Sequence, residues 1–202
     1  MKKLFDVPRY SIAEWISFLR LVSVPFIIGF VLLDWRTFAG MAYLISFSSD
    51  ALDGFVARQF GMESDRRGRL DSIADEFLLA AGMLAFYRFE TVFFQEHLGL
   101  ILIILSLYVF QLIFSLIRYG TFSSFHTISA RAAAVVQAVF LTSIFFFAPL
   151  PWLFYTMIIL SAIELLEENL LIAMFPTWRA HVNGIYWVMR ERERNHKKEP
   201  SG

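Results

Sequence analysis

The chain contains no cysteine. Disulfides, thiol nucleophiles and thiolate-bound metals are therefore excluded. It also lacks an excess of charge of either sign, its formal net charge being zero. No bulk field points to nucleic acid as a partner. A cleavable leader is not expected, because Asp6, Pro8, Arg9 and Glu14 interrupt any apolar run behind Lys2 and Lys3. No internal repeat or low-complexity linker divides the sequence, so residues 1–202 read as one domain. What is present in abundance is apolar surface. Hydrophobic residues make up 57% of the chain and the mean hydropathy is +0.58. That is too apolar for an ordinary soluble domain and fits an all-α, polytopic membrane protein.

Six transmembrane helices are predicted, each of roughly 20 residues, the length a bilayer requires. They run over residues 15–33, 38–60, 70–87, 92–117, 130–148 and 152–175. Residues 7–16 form a short amphipathic segment read as lying along the interface. Residues 176–202 are a cytoplasmic tail, with an amphipathic helix over 178–194 that sets Trp178, Val182, Ile185, Trp187 and Met189 against a basic face. Basic residues orient the spans. With both termini in the cytoplasm, every Lys and Arg falls inside except Arg36 and Arg88. This asymmetry matches the positive-inside rule and an even number of spans.

Against that background, the stretch from Asp50 to Asp75 is unusual. It reads Asp50-Ala-Leu-Asp53-Gly54-Phe-Val-Ala57-Arg58 and, after a polar segment, Asp71-Ser-Ile-Ala-Asp75. Acids inside a membrane span are costly and mark functional sites by default. Asp50 and Asp53 share one helix face, and Asp71 and Asp75 share another. Two such pairs facing each other would make an oxygen-rich cage for a hard cation such as Mg²⁺ or Mn²⁺. Gly54 and Ala57 keep the face beside Asp53 open for a backbone or ligand. Arg58 offers a guanidinium suited to a diphosphate. The predicted topology puts all four carboxylates at one depth, just beneath the cytoplasmic surface.

The pattern resembles the signature of the CDP-alcohol phosphotransferase (CDP-alcohol phosphatidyltransferase) family. That signature is Asp-x-x-Asp-Gly-x-x-Ala-Arg, a spacer, then Gly-x-x-x-Asp-x-x-x-Asp. The second glycine is the departure: Arg67 occupies its place and Gly68 follows. The stretch Ile16-Ser17-Phe-Leu-Arg20-Leu-Val-Ser-Val-Pro25 is also similar to the start of the family's first span. The resemblance implies an integral membrane enzyme of phospholipid synthesis. Such an enzyme transfers a phosphatidyl group from CDP-diacylglycerol to an alcohol and releases CMP. It implies two divalent ions held by Asp50, Asp53, Asp71 and Asp75, with Asp50 and Asp71 bridging. It further implies Asp75 as general base, Gly54, Ala57 and Arg58 as the donor groove, and a homodimer.

Arg118 and Arg131 flank the loop after the fourth span. They either grip an acceptor phosphate or are simply positive-inside charge at helix ends. Glycerol 3-phosphate is the first choice of acceptor, with inositol, an inositol phosphate or serine as alternatives. His126 reads more readily as a surface or capping residue than as a catalyst. Glu164 falls near mid-membrane and needs a partner, for which Arg20 and Arg131 are the candidates. A divalent-cation transporter is the alternative from a different class. The acids cluster at one depth, however, and trace no path across the bilayer.

Overall fold

The computed structural model describes the backbone of residues 12–60, 65–120 and 127–175, and the side chains of these except 12–17 and 50–72. Among the described residues the chain is all-helical: α1 (Ile12–Leu32), α2 (Arg36–Phe60), α3 (Asp65–Phe89), α4 (Thr91–Glu96), α5 (Leu98–Tyr119), α6 (Ile128–Phe146) and α7 (Pro151–Met174). Residues 12–16 of the predicted interfacial segment are the opening turn of α1, while residues 7–11 and the tail from 176 onward lie outside the described residues. The predicted span over 92–117 is broken. His97 leaves the helical line at ψ 10°, and the short α4 precedes α5. The amide groups of Leu100 and Ile101 then bond back to the His97 carbonyl and start the new helix.

Among the described residues, two helices, α5 and α6, have both the length and the apolar composition to cross a membrane, and residues 18–32 of α1 form a shorter apolar segment. Of the other long helices, α2, α3 and α7 carry more than one acid each, and each acid lowers the local hydropathy. On α7, Glu164, Glu167 and Glu168 have this effect.

The helices group into two compact units, a division that the sequence pattern does not reveal. One comprises Met1–Phe94 with Leu141–Pro149, the other Gln95–Phe140 with Leu150–Gly202. In the first unit, α1 packs on both α2 and α3, and those two touch each other. The buried stripe of α1 is Arg20, Val24, Ile27 and Val31, at alternating four- and three-residue steps. The facing stripe of α3 is Ala74, Leu78, Ala81 and Ala85. Its small side chains let the helix backbones approach closely, as in membrane helix pairs.

The turn from α1 into α2 is a Schellman closure. Trp35 N–H bonds to the Phe30 carbonyl at 2.9 Å and Asp34 N–H to that of Val31 at 3.2 Å. Asp34 takes the left-handed position with φ 59°, and the Trp35 ring stacks on Phe30 at 5.9 Å. Close by, Arg88 reaches Asp34 at 2.6 Å. Arg36 pairs with Glu90 and donates to the carbonyls of Ile144 and Phe147 at the end of α6. The two arginines that the charge count sets apart from the rest are thus both ion-paired at one end of this unit.

Gly40 lies where α2 meets the end of α6. A Cβ there would stand 2.6 Å from the Phe145 Cβ and 2.9 Å from the Phe146 ring. Alanine would gain about 1 kcal/mol of helix propensity. The Phe145 Cβ is anchored to its own helix and cannot rotate away, so the overpacking cost of about 1–3 kcal/mol is expected to exceed that gain. Gly40→Ala should therefore lower the thermal unfolding midpoint in detergent; an unchanged or raised midpoint would mean that α6 yields freely at this contact.

In the second unit, α5 packs on α7. Leu171, Ile172 and Phe175 form a buried cluster against Phe114, Tyr119 and Met174. Gln111 on α5 donates to the carboxylate of Glu168 on α7, both buried. Ser129 donates to Glu167, and Gln137 bonds Ser161 at 2.8 Å. These polar links join apolar helices where the hydrophobic effect offers little in a lipid surround.

Candidate active site

The aspartate motif falls on two packed helices of the first unit. Asp50, Asp53, Gly54, Ala57 and Arg58 lie on α2, and Asp71 and Asp75 on α3. The α2 residues Ala39, Tyr43 and Ser46 are buried at four- and three-residue steps. Asp50 and Asp53 come next in that register. Asp71 likewise precedes Ala74 and Leu78 in the register of the α3 stripe. The side chains of Asp50, Asp53, Gly54, Ala57, Arg58 and Asp71 lie outside the described residues, as does the loop at the head of α3. The helix backbones carry their placement.

Asp75 is described in full. Its carboxylate is half exposed, with 50% of the side chain accessible, and Oδ1 accepts a hydrogen bond from Arg20 Nη1 at 2.7 Å. The arginine side chain is completely buried. Asp75 therefore presents itself outward while its cation stands behind it in the helix packing. One partner of Arg20 is thus Asp75 on α3.

One turn along α1, Ser23 ties the same face to α2. Its Oγ lies 2.6 Å from the Oγ of Ser46 and 2.6 Å from the Arg20 carbonyl. Ser49 in turn bonds the Ser46 carbonyl at 2.7 Å, next to Asp50 in the chain. Thus α1 holds both motif helices through polar contacts at adjacent turns.

A comparison with known protein families matches residues 10–174 to the CDP-alcohol phosphatidyltransferase family. The chain belongs to this family. The match spans both units and every residue of the aspartate motif. No curated protein sequence matches the chain significantly. Membership makes the protein one of a group of transferases of phosphate-containing groups in phospholipid synthesis, with a CDP-alcohol and an alcohol acceptor as substrates. Together with the two apolar helices, it makes the protein a membrane protein. A transferase family also favours the enzyme reading of the acids over the cation-transporter reading.

The second unit carries the two basic residues assigned to an acceptor. Arg118 sits in the last turn of α5, and its guanidinium is engaged with the end of α7. Nε donates to the Phe175 carbonyl at 3.1 Å and Nη2 to that of Ala173 at 3.3 Å. Tyr119 Oη joins them on the Ile172 and Phe175 carbonyls. A cation at the C-terminus of a helix is favourable to the dipole and satisfies carbonyls that have no helical partner. Arg131 lies in the first turns of α6, exposed, with its amide bonded to the Thr127 carbonyl at 3.3 Å. His126 lies outside the described residues. Glu164 is half-buried on α7, while the fully buried acid of that helix is Glu168.

Arg20 is the residue whose role at the site the sequence reading missed. The signal was present. Arg20, Val24, Ile27 and Val31 share one helix face, and three of them are aliphatic. An arginine on such a stripe must point into the core and find an acid there.

Proposed function

We propose that the protein transfers a phosphatidyl group from CDP-diacylglycerol to an alcohol in a divalent-metal-dependent reaction. The observation that carries this reading is the aspartate motif on two packed helices, α2 and α3, in a chain of this family. The donor set is made entirely of carboxylates, which suits Mg²⁺ or Mn²⁺. Asp50, Asp53, Asp71 and Asp75 would hold two such ions. When bound, the ions would neutralise the diphosphate and stabilise the departing CMP. Arg58, with Gly54 and Ala57, lines the donor groove and grips the diphosphate. Asp75 removes the proton from the acceptor hydroxyl. The hydroxyl oxygen attacks the phosphorus that bears the diacylglycerol. A new P–O bond forms, the P–O bond to CMP breaks, and CMP leaves.

The proposed setting is six spans with both termini and the site at the cytoplasmic face, in a homodimer. The acceptor we favour is glycerol 3-phosphate. Incubating the purified protein with CDP-diacylglycerol, Mg²⁺ or Mn²⁺, and one alcohol at a time tests the reading through CMP release. Metal-dependent release with glycerol 3-phosphate is expected. Release only with inositol, an inositol phosphate or serine would reassign the acceptor. No release with any alcohol would refute the function.

For a phosphorylated acceptor, Arg131→Ala should raise the acceptor KM about ten- to a hundredfold, the value of one lost hydrogen bond to a charged group. The donor KM should barely change, since the residue would bind one substrate only. Arg118→Ala should add a loss of thermal stability, because the same guanidinium caps α7. Unchanged acceptor KM values in both variants would leave the two arginines as topology and capping residues and favour a neutral acceptor.

A further inference from the structure

We infer that Arg20 is a positioning residue for Asp75, holding the carboxylate in the orientation in which it accepts the acceptor proton. This rests on the proposed role of Asp75 as base. Two features of the pair carry the inference. The first is its asymmetry. The arginine side chain is fully buried and the aspartate side chain is 50% exposed, across a 2.7 Å hydrogen bond. The cation stands on the protein side and leaves the carboxylate facing outward, which is how a reactive group is supported from behind. The second is the place of Arg20 on the core stripe of α1 with Val24, Ile27 and Val31. An aliphatic residue there would pack without burying a charge, and replacing a buried ion pair by apolar residues is often neutral or stabilising. Stability alone does not account for an arginine at this position.

The surroundings restrict the motion of the pair. Ser23, one turn along α1, meets Ser46 of α2 at 2.6 Å, so α1 is held to both motif helices. The guanidinium is planar and its N–H groups have fixed directions, so the bond fixes the direction and distance at which Oδ1 is held. Loss of that control should act on the chemical step. A misplacement of about 1 Å in a catalytic group costs on the order of a hundredfold in rate.

The test uses the full chain in detergent or nanodiscs, with folded fraction and thermal midpoint measured alongside kinetics. Arg20→Met is expected to lower kcat about a hundredfold per folded molecule, with the donor and acceptor KM near their parent values. Arg20→Lys should recover part of the loss, since it keeps the charge but not the plane. In the Asp75→Asn background, Arg20→Met should reduce turnover little further, because there is no base left to position. A parent-like kcat for Arg20→Met, with only a lowered thermal midpoint, would overturn the inference and reduce the pair to a structural one. A raised donor KM at parent kcat would also overturn it, making Arg20 a donor-binding residue. If Arg20→Met does not fold, Arg20→Lys decides by the same criteria: a reduced kcat at parent KM supports the inference and a parent-like kcat overturns it. If Asp75→Asn is inactive while Arg20→Met keeps the parent kcat, the inference alone falls. If Asp75→Asn itself turns over normally, the base assignment falls and the inference with it.

Discussion

Turnover of Asp75→Asn should fall by roughly 10²–10⁴, the usual contribution of a positioned general base. The amide is nearly isosteric with the carboxylate, and its oxygen can still accept the Arg20 N–H. It has no basicity, so the acceptor hydroxyl keeps its proton. The substitution also removes the counter-charge of a fully buried arginine. Breaking such a pair from one side is destabilising, although the exposed half of Asp75 lets solvent soften the cost. Rates therefore have to be expressed per folded molecule. Donor affinity should suffer less than in Asp50→Asn, because the base acts on the acceptor. If instead the donor KM rises more for Asp75→Asn than for Asp50→Asn, Asp75 is chiefly a metal ligand.

Asp71→Asn should be at least as damaging. Removing a partner that merely orients a metal ligand typically costs about 10–100-fold in affinity or activity. Removing a ligand of the proposed two-metal site itself should exceed that, because an amide oxygen would supply no charge against the divalent ions. The loss should persist at saturating Mg²⁺ or Mn²⁺ while circular dichroism and the elution profile in detergent stay close to the parent. Turnover near the parent level under those conditions would refute the two-metal reading. Together the two variants separate the roles: both should suppress chemistry, and Asp71→Asn should shift the metal dependence of whatever activity remains more than Asp75→Asn does.

Much of the helical framework is legible in the sequence because apolar runs and their breaks follow local rules. The ends of α2, α6 and α7 fall within a few residues of the predicted spans. The exceptions have causes that composition does not carry. Predicted span 92–117 looks continuous because His97 is one polar residue between apolar ones. Its departure from helical geometry accompanies a contact to Tyr155 at 3.0 Å, supplied by another helix. The start of α3 at Asp65 was missed because a charged turn reads as loop. In the second unit, Glu164 drew attention as the mid-span acid, yet Glu168 is the one that α5 buries, through Gln111.

The sequence by itself determined the family, the pattern of the aspartates on two helices and the apolar character of the chain. These depend on residue identity and on spacing along a helix, which are written locally. The tertiary structure decided which helices pack together and how the chain divides into two units. It also decided that Arg118 spends its guanidinium on the end of α7. Above all, it decided that Arg20 meets Asp75. The two residues are separated by 55 positions, and no local rule pairs a given buried cation with one acid among several. Only the packing of α1 against α3 brings them within a hydrogen bond.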